Sequence, residues 1–209
     1  MTIKLYHHPF SRAAGTVWVL EEVGQPYELE FVDLMKGAHK VADFTKTNPM
    51  GKLPTLVDGD AVVTEAAAIA LYLADRYSAG KLAPKLDDPR RGTYLRWSFY
   101  APSVIEPGCA AHASKWEFRP SSVGWGTWDE MIRTIDGALA GDYVLGNEFS
   151  MADVIFGGTV RFMTMFKMLD ASPAIAKYLE RLSARPAFKR AEEINTRVMK
   201  EHDLKLPGS

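Results

Sequence analysis

Three short stretches hold side chains of the types, and at the spacings, that chemistry on a small molecule requires. The first is H7-H-P-F-S-R12, a loop that leaves a short strand where a helix begins. Ser11 suits an N-cap there, and a hydroxyl beside a helix N-terminus also stabilises an anion. The second is Thr64-Glu65-Ala66, a turn from strand into helix. Free N–H groups and the positive end of the helix dipole suit a carboxylate at such a turn. Glu65 is otherwise simply a first-turn acid favoured by that dipole. The third is N48-P-M-G-K-L-P-T-L-V-D-G-D60, which sets Lys52 beside Leu53-Pro54 and lies downstream of Lys36, His39 and Lys40. These basic residues are either anion ligands or a solvated loop.

Other chemistries find little to work with. His7 and His8 are adjacent on a strand, point to opposite faces and cannot ligate one metal together. Neither a His-x-x-x-His nor a paired-cysteine spacing occurs, so a metal site is not expected. Cys109 reads as a small buried apolar residue. No phosphate-cradling glycine motif appears, and Gly157-Gly158 reads as a place of close helix packing.

The elements that must position these residues follow from periodicity. Ile3, Leu5 and His7 alternate as a strand; Val17, Leu20 and Val23, beside Trp18, form a helical stripe that Gly24 ends; Tyr27, Leu29 and Phe31 alternate again. Pro54 is expected to begin or interrupt an edge strand. Leu56-Val57, the Asp58-Gly59 turn and 61–64 predict a hairpin, and Glu65–Tyr77 a helix. The order β-α-β then β-β-α implies one parallel crossover and an antiparallel edge. Gly80, Pro84, Asp87, Asp88 and Pro89 mark a linker. Beyond it only helices are predicted, with a kink or break near Pro102 and Pro107 and a capping box at Ser150-Met-Ala-Asp153. The predicted domains are therefore 1–79, a linker 80–88, and 89–209.

Composition sets the outer limits. The chain has 209 residues, a net charge of −1, one cysteine, and 24% charged residues. That balance favours neither nucleic acid nor an anionic membrane as partner. No leader segment or run of about 18 apolar residues is visible, and the lone cysteine fits a reducing compartment. A soluble, cytoplasmic protein is expected.

Three motifs carry a resemblance to a known family. They are L5-Y-H-H-P-F-S-R12 followed by W18-V-L-E-E-V-G-Q-P-Y27; N48-P-M-G-K-L-P-T-L continuing to V63-T-E-A-A-A-I-A-L-Y-L; and L145-G-N-E-F-S-M-A-D153 with Y178-L-E-R-L-S-A-R-P-A-F188. In this order the chain resembles the cytosolic glutathione S-transferases over essentially its whole length, of a bacterial type with a serine-type loop. The resemblance implies an α/β thioredoxin-like N-terminal domain and an all-α C-terminal helical bundle. It implies glutathione as co-substrate, no metal, a role in detoxification, and a homodimer.

It also assigns roles. Pro54 would be cis, with the backbone of Leu53 pairing with the cysteinyl residue of glutathione in a one-residue strand addition. Glu65 would receive the γ-glutamyl amine and the N–H of Ala66 its carboxylate; the family usually carries serine where this chain has Ala66. Lys52 and His39 are candidates for the glycyl carboxylate, with Lys36 and Lys40 as rivals to His39. Ser11 would stabilise the thiolate, while Tyr6, His8 and Arg12 remain alternatives. The resemblance places an apolar electrophile near Phe10, Trp97, Tyr100, His112 and Trp116, with Trp125 and Trp128 as a lid or dimer surface. Other glutathione chemistry (peroxide or disulfide reduction, dehalogenation, isomerisation) and a non-catalytic glutathione-binding protein stay open.

Overall fold

The strand and helix periods of the sequence become nine α-helices and four strands among the described residues, 2–205 of a computed structural model. In chain order these are β1 (Ile3–His7), α1 (Ala13–Val23), β2 (Tyr27–Phe31), α2 (Ala42–Thr47), β3 (Thr55–Asp58), β4 (Ala61–Thr64), α3 (Ala66–Tyr77), α4 (Arg91–Tyr100), α5 (Glu106–Ala113), α6 (Trp128–Ala138), α7 (Met151–Met165), α8 (Pro173–Ser183) and α9 (Pro186–Glu201). One compact unit runs to Tyr77 and takes up again at Arg185; the other is Ser78–Ala184.

In the first unit the strands lie in the order β2-β1-β3-β4. β1 is parallel to β2 and antiparallel to β3, and β3 is antiparallel to β4. Ile3, Leu5 and His7 face inward together, as their alternation requires. Pro54 thus precedes an interior strand, not the predicted edge strand. This is tolerated because it stands just ahead of Thr55, where the ladder begins. The hairpin closes with Asp58 paired to Ala61, so its two turn residues are Gly59 and Asp60. Asp58 is instead the last strand residue and ties the hairpin to α3. It accepts hydrogen bonds from Tyr72 (2.9 Å) and Tyr77 (2.6 Å) and pairs with Arg76 (3.1 Å). α1 ends as predicted at Gly24, whose φ of 73° is left-handed and whose N–H returns to the Leu20 carbonyl.

The predicted helical domain 89–209 is corrected by α9, which belongs to the first unit. Its reason is a dense tie to α1. Arg185 grips Glu22 through two bonds of 2.7 and 2.9 Å, Arg190 reaches Glu21 at 2.6 Å, and Phe188 meets Trp18 edge-on. Deeper in, Asn195 bonds His7 of β1 at 2.8 Å and donates to the Ala14 carbonyl at 3.2 Å.

In the second unit the predicted linker is ordered structure. Gly80 donates to the Ala83 carbonyl, and Met151 at the head of α7 donates to that of Leu82. Where a kink or break was expected, α4 passes through one wide π turn at 101–105, holding Pro102, and runs on into α5. The capping box forms: Asp153 accepts from the Ser150 N–H (2.8 Å), and also from the Val144 N–H (2.9 Å) and the Tyr178 hydroxyl (3.0 Å). Gly157 lets α7 approach Leu182 and Tyr178 of α8, whereas Gly158 faces open space.

Burial lowers the His7 pKa to about 4, which the Asn195 bond only partly offsets. An unfolded histidine titrates near 6.5, so the folded form refuses a proton that the unfolded chain accepts. The stability gained by keeping His7 neutral is complete above about pH 6.5 and is lost as pH falls to about 4, a total of about 3 kcal/mol. Urea unfolding at about pH 7 and pH 4.5 should therefore show a drop for the native chain about 2 kcal/mol larger than for His7→Gln. Equal drops would refute this assignment.

Candidate functional site

Strand register gathers the three chemical stretches at one end of the sheet. Tyr6 pairs with Thr55, and Thr55 with Thr64. Because both ladders are antiparallel, the exit of β1, the entry to β3 and the exit of β4 coincide. Ser11, Leu53-Pro54 and Glu65 each lie a few residues beyond that row.

The β1 exit is a tight loop. The Ser11 hydroxyl donates to the His8 carbonyl at 2.8 Å and accepts from the Ala13 N–H at 3.1 Å, so it caps the start of α1. Nδ1 of His8 accepts from the Phe10 N–H at 3.1 Å, which leaves the proton of the neutral ring on Nε2, a buried atom without a hydrogen-bond partner among the described residues. Burial lowers the His8 pKa, with Asp33 opposing and His202 and His39 adding to the fall. Its ring stacks on Phe31 and lies edge-on to Phe10. Tyr6 packs edge-on against Phe44, in the cluster that also holds Ala13, Val32 and Leu53.

The β3 entry is shaped by Asn48, which the sequence reading quoted but gave no role. Its amide donates to the Lys52 carbonyl (2.8 Å) and Thr55 hydroxyl (3.0 Å) and accepts from the Met50 N–H (3.1 Å). Gly51 has a φ of +56°, and a Cβ there would lie 2.6 Å from the His39 carbonyl oxygen. So glycine is required both for its backbone and for the close approach of the His39 loop. The Leu53-Pro54 peptide is cis, as expected. Of the basic residues, Lys36 pairs with Asp33 at 3.2 Å and Lys40 donates to the Met50 carbonyl at 3.0 Å. Lys52 is exposed, and His39 keeps a buried Nδ1 with no hydrogen-bond partner among the described residues.

At the β4 exit, Glu65 is exposed and has a φ of 68°. A non-glycine residue there costs about 1–3 kcal/mol and persists only where its surroundings demand it. Its carbonyl takes the Ile69 N–H, so α3 starts immediately after it. The N–H groups of Ala66 and its successors lack intrahelical acceptors by their position.

In the second unit, a cavity of about 360 Å³ is lined by His112, Trp116, Phe118, Trp125, Trp128 and Met131, among others. His112 stacks on Trp128 at 3.8 Å. Trp97 does not join it. It is buried edge-on to Phe156 and Tyr100, which makes it core, and Tyr100 lies outside the lining as well. Phe10 is in the first unit, beside His8. Cys109 is buried, which pushes its thiol up to about 11. Among the described residues no cluster of three or more metal-ligating side chains exists, and no helix is long and apolar enough to cross a membrane.

Residues 1–75 match the model of the glutathione S-transferase N-terminal domain. Over 205 residues the chain is 30% identical to glutathione S-transferase Z2 of Arabidopsis thaliana, with 90% of each chain covered. The chain belongs to the glutathione S-transferase family of enzymes. A solved glutathione transferase from Methylococcus capsulatus superposes with a TM-score of 0.76 at 30% identity, covering 94% of this chain and all of that one. One from Phanerochaete chrysosporium, in complex with oxidised glutathione, gives 0.76 at 28% identity over 94% and 97%.

This family member carries an exposed residue with left-handed backbone, Glu65, at the mouth of α3. Glu65→Gly should relieve the left-handed backbone and raise the unfolding free energy by about 1 kcal/mol. Denaturant unfolding that shows unchanged or lower stability would mean that Glu65 is not strained.

Proposed function

We propose that this chain binds glutathione at the sheet end where Ser11, Leu53 and Glu65 converge, and conjugates it to an apolar electrophile. The observation that carries this reading is Glu65: a charged, exposed residue held at φ 68° directly ahead of the open N-terminus of α3. Strain of that kind has no packing reason at the surface, but it sets a carboxylate-bearing residue directly ahead of a row of free N–H groups. An amino acid's ammonium and carboxylate fit that pair. The tripeptide's cysteinyl backbone would align with Leu53, and its glycyl carboxylate with Lys52 and the His39 loop. The complexes of relatives from Phanerochaete chrysosporium and Sulfitobacter with oxidised and bound glutathione support the same ligand.

In the mechanism, Ser11 turns its hydroxyl from the His8 carbonyl to the glutathione sulfur. It sits ahead of α1, where the helix dipole also favours the anion. The thiol proton leaves to solvent, and the thiolate then adds to the electrophile or displaces its leaving group, with Phe10 beside the loop supplying apolar surface. A homodimer fits Met50 and Val62, which are exposed by 64% and 50% on the first unit and would be covered by a second copy; the lone cysteine fits a cytoplasmic location. A second reading, glutathione binding with little thiol activation, is favoured by the bond that now commits the Ser11 hydroxyl to His8.

Ultraviolet difference titration of bound glutathione from about pH 5 to pH 9 separates the two. Thiolate absorbance should appear well below the free-thiol range near 8.5, and Ser11→Ala should move it upward. Glutathione that binds but ionises only in the free-thiol range would leave the binding protein as the better description. The same site also predicts a gain: Ala66→Ser adds one hydroxyl donor to the bound carboxylate and should tighten glutathione about three- to tenfold by calorimetry. Unchanged affinity would remove the carboxylate from the α3 N-terminus.

A further inference from the structure

We propose that the cavity of the second unit binds a planar aromatic carboxylate, held between its aromatic rings and charge-paired with Lys115. The cavity measures about 360 Å³, within the usual range for small-molecule sites. Every lining residue lies in α5, in α6 or in the connection between them. Whether the bound ligand is also conjugated rests on the proposed function; its binding does not.

The walls are rings. Trp128 lies flat on His112 at 3.8 Å, and Trp125 meets Phe118 edge-on at 5.6 Å. Gly108 lets the α5 backbone close on α6, since a Cβ there would lie 2.6 Å from the Met131 sulfur. Trp116 and Phe118, by contrast, keep 58% and 39% of their surface in water. Exposed rings that line a cavity mark surface for an apolar body to cover. Flat aromatic walls favour a flat aromatic partner, through offset stacking and edge-to-face contact. A concave site of this size suits a small molecule better than a second protein chain.

Lys115 supplies the sign of the charge. α5 ends in a Schellman turn: the Trp116 N–H returns to the Ala111 carbonyl at 2.9 Å and the Lys115 N–H to that of His112 at 3.1 Å. The residue at the reversal is left-handed, and Lys115 has a φ of 52°. Glycine is usual there, because any side chain is penalised. A lysine kept at that position puts a long apolar stem and an ammonium on the cavity wall. Its side chain forms no ion pair among the described residues, and no described Asp or Glu lines the cavity. Glu130, close by in sequence, is held instead by the Thr127 N–H at 2.9 Å and hydroxyl at 2.6 Å. A carboxylate on the aromatic body therefore meets an unopposed cation, which a neutral ligand would leave unpaired.

The test uses the full chain without glutathione, with 2-naphthoate and its neutral counterpart 2-naphthamide, followed by calorimetry and by the indole N–H signals in heteronuclear NMR. Saturable binding of 2-naphthoate is expected, with shifts at Trp116, Trp125 and Trp128 and none at Trp18 or Trp97. The amide should bind about fivefold more weakly at low salt. Lys115→Gly suits the left-handed turn and so keeps the fold; it should bring the two ligands to equal affinity. Absence of saturable binding, equal binding of the amide by the native chain, or a preference that survives in Lys115→Gly would each overturn the proposal. Shifts confined to the first unit would place the anion at another site and overturn it as well. Because glutathione takes no part, failure of the glutathione reading would leave this result standing.

Discussion

The first unit is organised by the row of paired residues Tyr6, Thr55 and Thr64. Two antiparallel ladders in succession bring the end of one strand, the start of the next and the end of the third to the same edge of the sheet. The two antiparallel ladders cannot continue beyond that row, because each strand leaves it in a different direction: into α1, out of a cis Leu53-Pro54 peptide, and into α3. Backbone groups near the row are therefore available to a peptide-like ligand, with two helix N-termini alongside. The site is thus a by-product of sheet topology refined by a few side chains.

Those side chains divide into groups that bond and groups that shape. Glu65 and Lys52 are exposed and offer charge. Asn48 and Gly51 offer none to a ligand; one clasps the loop through its amide and the other allows the close approach of the His39 loop. On the proposed reading, replacing a shaping residue displaces several bonding groups together, whereas Ala66, where the resemblance implies serine, removes only one bond. Departures from a family pattern are accordingly more tolerable at contact positions than in the clasp.

Each unit also contains one buried polar centre around which its elements are fixed. In the second unit Asp153 gathers the Val144 and Ser150 N–H groups and the Tyr178 hydroxyl, joining α7 to α8 and to the turn ahead of it. In the first, His7 and Asn195 join β1 to α9, and through Ala14 to α1. The difference is satisfaction. Asp153 is surrounded by donors, while Nδ1 of His7 is buried without a hydrogen-bond partner among the described residues.

Much of this was legible in the sequence. Strand alternation, the Gly24 stop, the hairpin and the Ser150–Asp153 box are local signals with periods of a few residues, and they gave the element order. The Ser11, Leu53-Pro54 and Glu65 stretches were also visible, through residue type and resemblance. Tertiary structure alone decided the rest. That Pro54 precedes an interior strand depends on which strand lies beside which; that α9 joins the first unit depends on Arg185, Phe188 and Asn195 meeting Glu22, Trp18 and His7. The strain at Glu65 and the core burial of Trp97 are likewise outcomes of packing. The physical reason is range: propensity and capping act within a turn or two of chain, whereas His7 and Asn195 are 188 residues apart, and only the folded core brings them within 2.8 Å.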